Sequence, residues 1–298
     1  IAIGCIALLG WLLSIPILTT FLPGLATMKA NTALGLVLIG SSLVATAGAA
    51  RPPWPARLLA GGAVALGGAT AVQYLTGRSL DIDEILFRDP GGGPLPGRMS
   101  PATALAFVSA GVAILGGASR RWSGIGLIAG VATLGLALVA LVGYLFDVSD
   151  LYRFGPFSSV SLPTAAALAI AAVGILAGFP EGPVRRAFAA GPGGELIRRL
   201  LPATVVSPIG LGLLVLSGSR AGLFSAALGI GLFVIGLVGT LLLLVYRAAG
   251  ALDGADSARR RVEHEAHRTA ERERIVAVAV ADAIVTIDAH STILYANP

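Results

Sequence analysis

Charge is what this sequence has least of. Only 12% of its 298 residues are Asp, Glu, Lys or Arg, where an ordinary soluble domain has about 25%. Cys5 is the only cysteine, which excludes an intrachain disulfide and a cysteine-rich metal site. Lys29 is the only lysine and lies between apolar runs, so no lysine is available within a helix for a retinal Schiff base. Histidine is confined to His264, His267 and His290, beyond the last long apolar run, which excludes a haem ligated between membrane helices. No ionisable side chain falls in the central part of any apolar run. Such groups usually mark ion pathways, proton relays or voltage sensors, so their absence argues against a pump or an ion-coupled transporter.

What is present is apolar. Residues of the AVILMFWYC set make up 55% of the chain, and mean hydropathy is +0.85. A soluble globule of this size has too little interior to hide that surface. The composition excludes a soluble enzyme, a disulfide scaffold and a disordered tail, and it points to an all-α polytopic membrane protein. The 21 basic and 16 acidic residues leave a net charge of +5. The basic residues are scattered in short segments rather than clustered, so the expected partner is the lipid bilayer and not nucleic acid. The chain opens inside an apolar run at Ile1 and stops within a recognisable pattern at Pro298. The expectation is a piece of a longer protein whose first span lacks its start, with no signal peptide.

A bilayer core about 30 Å thick needs roughly 20 apolar residues at 1.5 Å each. Eight stretches qualify or nearly do: Ile1–Thr19, Thr32–Ala50, Ala56–Thr76, Pro101–Ala118, Gly124–Phe146, Pro163–Phe179, Leu200–Leu216 and Leu223–Tyr246. Pro208 interrupts the seventh and the sixth is short, so seven spans is the alternative. The connecting segments alternate. Arg51–Arg57, Ser119–Trp122 and Glu181–Arg199 hold eight Arg against two Glu; the other set holds six Lys or Arg against six acids. The positive-inside rule places the arginine-rich set, and the exit of the eighth span, in the cytoplasm. Trp54 and Trp122 read as interface anchors.

An internal repeat runs through the spans. Met28-Lys-Ala-Asn-Thr-Ala-Leu34 and Met99-Ser-Pro-Ala-Thr-Ala-Leu105 each open a span, and Ser161-Leu-Pro-Thr-Ala-Ala-Ala167 opens another more loosely. The unit is a helical hairpin entered from outside, used at least twice. Ser100 before Pro101 is a good N-cap, and Asn31 and Ser161 are expected to cap in the same way. A ligand contact is the alternative role for the motif. Candidate sensing residues lie in the outer loops: Asp81, Asp83, Glu84, Arg88 and Asp89 in one, Asp150 and Arg153 in another. They are the right types to bind a cation or a small ligand; a solvated short helix with internal ion pairs is the competing reading.

After Tyr246 the composition turns polar. Residues 247–274 trace a weak 4-3 pattern through Leu252, Ala255, Val262, Ala266 and Val276, which predicts a cytoplasmic signalling helix of coiled-coil type. A plain spacer is the alternative. His264-Glu-Ala-His267 lacks zinc-site spacing and reads as solvated helix. Residues 284–287 read as a strand, Asp288–Ser291 as a turn and Thr292–Ala296 as a second strand.

These residues carry two resemblances. Asp282-Ala-Ile-Val-Thr-Ile-Asp288…Ile293-Leu-Tyr-Ala-Asn297-Pro298 resembles the opening of an α+β PAS domain, with Ser291 where that family usually has glycine. Leu22–Leu34, Phe87–Pro90 with Gly97–Pro101, Leu151–Ser158 and Gly191–Pro202 resemble the multi-span sensor regions of bacterial PAS-containing histidine kinases and diguanylate cyclases. The resemblance implies a membrane sensor over 1–246, a signalling helix over 247–274 and a PAS start over 275–298. It further implies a bacterial inner-membrane location, a homodimer, a histidine kinase output that uses ATP and magnesium, and a response regulator as its partner. No catalytic motif, cofactor site or metal site is evident in these residues. A cyclic-di-GMP cyclase or phosphodiesterase output is the first rival, and a transporter-like protein with a regulatory domain the second.

Overall fold

The computed structural model describes residues 1–22, 24–49, 51–90, 95–119, 121–153, 159–180, 182–250, 285–290 and 292–296. Its helices are α1 (Ala2–Leu12), α2 (Pro16–Thr20), α3 (Ala30–Thr46), α4 (Trp54–Thr76), α5 (Pro101–Gly116), α6 (Ser123–Phe146), α7 (Leu162–Ala177), α8 (Pro183–Phe188), α9 (Pro192–Arg220) and α10 (Ala226–Gly250). A 3₁₀ turn, Ser149–Leu151, comes after α6. The chain forms two compact units, Ile1–Ala189 and Ala190–Pro298. That boundary falls inside the single membrane domain expected over 1–246.

Four helices, α4, α6, α9 and α10, are long and apolar enough to cross a membrane, and α1, α3, α5 and α7 are shorter apolar helices. This fits a multi-pass membrane protein. The expected span Ile1–Thr19 is not continuous. Helix α1 stops at Leu12, Ser14 takes φ 54°, and Ile15 is extended before Pro16 opens α2. Pro16 has no N–H to continue the ladder, and it pushes the preceding residue out of helical conformation. The opposite happens in α9, which runs through both Pro202 and Pro208 rather than being interrupted, as membrane helices tolerate.

Three helical hairpins, α1–α3, α4–α5 and α6–α7, build the first unit. Helices α3, α5 and α7 touch one another; α4 packs on both α3 and α5, and α6 on both α5 and α7. The repeat is therefore used three times, and its register is now visible. Met28, Met99 and Val160 are equivalent, which puts Thr32, Thr103 and Thr164 at one position and Leu36, Phe107 and Leu168 at another; all nine are buried. Each hairpin is closed by the same hydrogen bond. An aromatic side chain late in the first helix donates to the carbonyl of the residue before the N-cap of the second: Trp11 Nε1 to Met28 O at 2.9 Å, Tyr74 OH to Met99 O at 2.8 Å, and Tyr144 OH to Val160 O at 2.7 Å.

Seven residues before each latch the first helix carries Gly4, Gly67 or Ala137, all buried. A Cβ on Gly4 would lie 2.6 Å from the Ala33 carbonyl oxygen, and one on Gly67 would lie 2.5 Å from that of Ala104. These backbones meet without room for a methyl. The burial pattern is the reverse of a soluble core. Ala33, Ala60, Ala63, Ala104, Ala110, Ala113 and Ala165 are inside, whereas Leu58, Leu75, Ile128 and Ile170 face outward at 65–86% exposure. Lipid offers helices no hydrophobic drive to associate, so small residues that permit close van der Waals contact supply the attraction.

In the second unit α9 and α10 form a further hairpin. Gly236 lies against Leu211, and Gly229 against Val215. Near the C-terminus, Val285–Ile287 pairs antiparallel with Ile293–Ala296. Asp288 Oδ1 accepts the Thr292 N–H at 2.9 Å and the His290 N–H at 2.8 Å. These bonds favour the carboxylate and hold its pKa below the usual range. The turn is thus supported at neutral pH, and the support is lost as pH falls through that lowered value.

The close approach makes a prediction. Gly67→Ala must separate α4 from α5 and is expected to lower the unfolding temperature in detergent, with a cost of about 1–3 kcal/mol. Gly61→Ala, where an added Cβ meets nothing within 4 Å, does not lower it and raises it slightly through helix propensity. Tryptophan fluorescence during a thermal ramp reads both.

Candidate functional site

Helices α3, α5 and α7 all begin at one end of the first unit. Here the loop between α4 and α5 folds back over the bundle. The site starts with Gln73, a fully buried amide in the last turn of α4. Its Oε1 accepts the Leu80 N–H at 2.6 Å, and its Nε2 donates to Asp83 Oδ1 at 2.9 Å. Arg98 Nε donates to Asp83 Oδ2 at 2.7 Å, and Arg98 Nη2 donates to Gln73 Oε1 at 3.3 Å. The Arg98 and Asp83 side chains are only 7% and 10% exposed. The Arg98 guanidinium also lies 5.5 Å from the Tyr74 ring centroid, within cation–π range. Gly97, in left-handed conformation at φ 68°, brings its backbone against the Asp83 carbonyl where no Cβ would fit.

A second knot ties the loop to the first hairpin. Asp89 Oδ2 pairs with Lys29 Nζ and accepts the Gly97 N–H at 3.0 Å. Glu84 Oε1 accepts the Asp89 N–H at 2.7 Å. The Phe87 ring stacks on Trp11, centroids 6.3 Å apart. The described residues 77–90 and 95–100 thus form a strap: its ends are held by Gln73 and Arg98, and Asp89 and Phe87 by Lys29 and Trp11. The solvated short helix weighed for this loop does not form. Asp81 takes φ 55°, and Gln73 claims the Leu80 amide.

Of the candidate sensing residues, Asp83, Glu84 and Asp89 come together in this strap, with their carboxylates engaged by Arg98, Gln73, Lys29 and backbone N–H groups. Asp81 and Arg88 are exposed; Asp81 Oδ1 accepts a bond from Ser79 Oγ at 3.0 Å. Asp150 and Arg153 are exposed in the loop after α6. That loop is anchored by Tyr152, stacked on Tyr144 with centroids 4.1 Å apart, and by the Val160 N–H bonded to the Tyr152 carbonyl. Among the described residues no three His, Cys, Asp or Glu side chains assemble into a metal cluster. The signalling-helix residues Leu252, Ala255, Val262, Ala266 and Val276 lie outside the described residues.

The repeated Ser and Thr residues are caps. Ser100 Oγ accepts the Thr103 N–H at 3.2 Å and lies 2.8 Å from its hydroxyl; Ser161 does the same with Thr164 at 3.4 and 2.7 Å. Asn31 is not a cap. Lys29 holds the N-cap position of α3, Asn31 lies within the first turn, and its buried amide has no hydrogen-bond partner. The partners sequence reasoning missed are Lys29, Gln73 and Arg98. The available signal was Gln73, an amide in the last turn of a span whose residues between Arg57 and Gln73 are apolar apart from Thr70. No protein family, curated protein or solved structure matches this chain.

The strap predicts an asymmetric mutational response. Arg98→Met leaves the Asp83 carboxylate buried and uncompensated, at a cost of about 3–5 kcal/mol. Asp83→Leu combined with Arg98→Met removes the orphaned charge and recovers most of that loss. A thermal-unfolding cycle of the two single variants and the double variant measures this.

Proposed function

We propose that the chain is the membrane-embedded input module of a bacterial sensor protein, in the plan of the PAS-containing histidine kinases it resembles. About eight spans sit in the inner membrane and take up a stimulus at the strap end or from the lipid. Helix α10 carries the response into the polar segment 247–274 and a PAS domain beginning near 275. The module works as a homodimer. A kinase domain outside these residues would bind ATP and magnesium and pass phosphate to a response regulator.

One observation carries this reading: the two ends of the first unit differ in chemistry. The described acids of that unit, Asp81, Asp83, Glu84, Asp89, Asp147 and Asp150, all lie in the loops at the strap end. The opposite end presents Arg51, Arg57, Arg121, Arg185 and Arg186 with no described acid. By the positive-inside rule the arginine end is cytoplasmic, which makes the strap periplasmic. The strap joins the first two hairpins, so a ligand or force that displaces it changes how those hairpins meet. The lack of ionisable groups along the described helix interiors favours signalling over ion-coupled transport.

Two measurements test this. Reporter fusions at Ser119 and after Tyr246 should report the cytoplasm, and a fusion in the strap the periplasm. In the full-length protein, inserting one residue near Ala258 rotates the downstream domain by about 100° relative to the membrane part and should change output several-fold. Inserting four residues nearly restores phase and output. Output indifferent to both insertions reduces segment 247–274 to a tether and refutes the signalling role.

A further inference from the structure

The first turns of α3, α5 and α7 occupy equivalent places in the repeat but are built differently. Ser100 and Ser161 hold the N-cap positions of α5 and α7, and each accepts the N–H of the threonine three residues on. Pro101 is the first helical residue of α5, and Pro163 is the second of α7. Proline there has its φ already set for a helix and brings no N–H that needs a partner, so both starts are fixed. In α3 the same four places read Lys29, Ala30, Asn31 and Thr32. Lys29 holds the N-cap position without a side-chain cap bond, and the turn has no proline.

Asn31 is the residue this turn leaves unsatisfied. It is 3% exposed, and neither its Nδ2 nor its Oδ1 has a hydrogen-bond partner. The equivalent residues, Ala102 and Pro163, carry no polar side-chain atom, so the packing of the repeat does not call for an amide here. A buried polar group left unpaired costs more than a typical hydrogen bond contributes, and asparagine is among the strongest N-caps. A better cap than Lys29 therefore lies two residues further into the helix. With α3 starting at Thr32, Asn31 takes the N-cap position, and its Oδ1 is placed to accept the N–H of Ala33 or Leu34.

The strap opposes that shorter helix. Lys29 Nζ pairs with Asp89, whose side chain is 5% exposed. Trp11 Nε1 donates to the Met28 carbonyl at 2.9 Å, and Phe87 stacks on Trp11. These contacts hold residues 28 and 29 where the longer helix needs them. A residue advances about 1.5 Å along a helix and about 3.3 Å when extended. Unwinding Ala30 and Asn31 thus lengthens the segment by about 4 Å, more than the Lys29–Asp89 pair can absorb unless the strap moves. The contact that closes the helices of this hairpin is unaffected, because Gly4 faces the Ala33 carbonyl, and Ala33 stays within the shorter helix.

We infer that the start of α3 is a two-position switch coupled to the strap. With Asp89 on Lys29, α3 begins at Ala30 and the Asn31 amide is stranded. When Asp89 is drawn away, Ala30 and Asn31 unwind and Asn31 caps the shortened helix. The stranded amide biases the turn toward the short form, and the Lys29–Asp89 pair holds it in the long one. The prolines of α5 and α7 confine the switch to α3. The inference rests on the cap chemistry of α3 and not on the sensor reading.

The test uses the fact that Lys29 is the only lysine. Labelling lysine with ¹³C and alanine with ¹³C and ¹⁵N marks a single Lys–Ala peptide bond, so a solid-state NMR spectrum filtered through that bond reports Ala30 alone in the bilayer-embedded chain. The Ala30 chemical shifts are expected to be helical in the unaltered protein and extended in Asp89→Asn. Adding Asn31→Ala to Asp89→Asn should return them to helical, whereas adding Asn31→Ser, which keeps a capping side chain, should leave them extended. Asn31→Ala alone should raise the unfolding temperature by several degrees, because it removes the unpaired amide; this measurement stands whether or not Asp89→Asn folds. Helical Ala30 shifts in Asp89→Asn would overturn the inference. Extended shifts in the variant that combines Asp89→Asn with Asn31→Ala would do the same, since they mark fraying that needs no cap. An unchanged or lowered unfolding temperature in Asn31→Ala would also overturn it, by showing that the amide is no burden to the long form.

Discussion

The first two hairpins depend on how closely paired helices approach where Gly4 and Gly67 face the start of the next helix, and the third keeps a small residue, Ala137, at the same place. At Gly4 and Gly67 the partner's carbonyl oxygen sits where a methyl would be. That contact sets the distance between the helices of a hairpin. It brings Trp11 and Tyr74 within reach of the carbonyls of Met28 and Met99, and Tyr144 makes the matching bond to Val160 in the third hairpin. The latch in turn fixes where α3, α5 and α7 begin, and hence where the Ser–Thr caps and the loops lie. In lipid these contacts matter more than bulk, because burying a leucine among helices gains little over leaving it among acyl chains.

The strap shows what that scaffold supports. Gln73 sits one residue before the Tyr74 latch and Arg98 one residue before Met99, so the same geometry that closes the second hairpin brings both into contact with Asp83. The pairing of Lys29 with Asp89 and the stacking of Phe87 on Trp11 extend it to the first hairpin. A buried ion pair adds little net stability compared with apolar packing, but it is costly to break one partner at a time. Such a joint holds until a competing charge or a pull on the loop disturbs it.

Much of this was legible in the sequence, for identifiable reasons. Ser100-Pro101 announced its helix because capping and proline chemistry are local. The hairpin repeat was visible in Met28–Leu34 and Met99–Leu105, but its third copy aligns from Val160 rather than Ser161, a register that the Ser161–Thr164 cap and the Tyr144 latch fix together. The break after Leu12 was missed because hydropathy does not register what Pro16 does to the backbone. Asp83 and Asp89 stood out as charges in an outer loop, yet their roles depend on partners 10, 15 and 60 residues away. Sequence spacing carries no information about such pairs. Asn31 read as a cap by residue type, and the true start of α3 at Ala30 leaves it too deep in the first turn to serve.

The central claim is that a threefold repeat turns the same positions inward in each hairpin and leaves the other large apolar residues facing outward. Photolabelling of the bilayer-embedded protein with a lipid-dissolved carbene reagent, read residue by residue by mass spectrometry, tests it most directly. The account predicts strong labelling of Leu58, Leu75 and Ile128, and none of the equivalent trio Leu36, Phe107 and Leu168. Comparable labelling of both groups would contradict it.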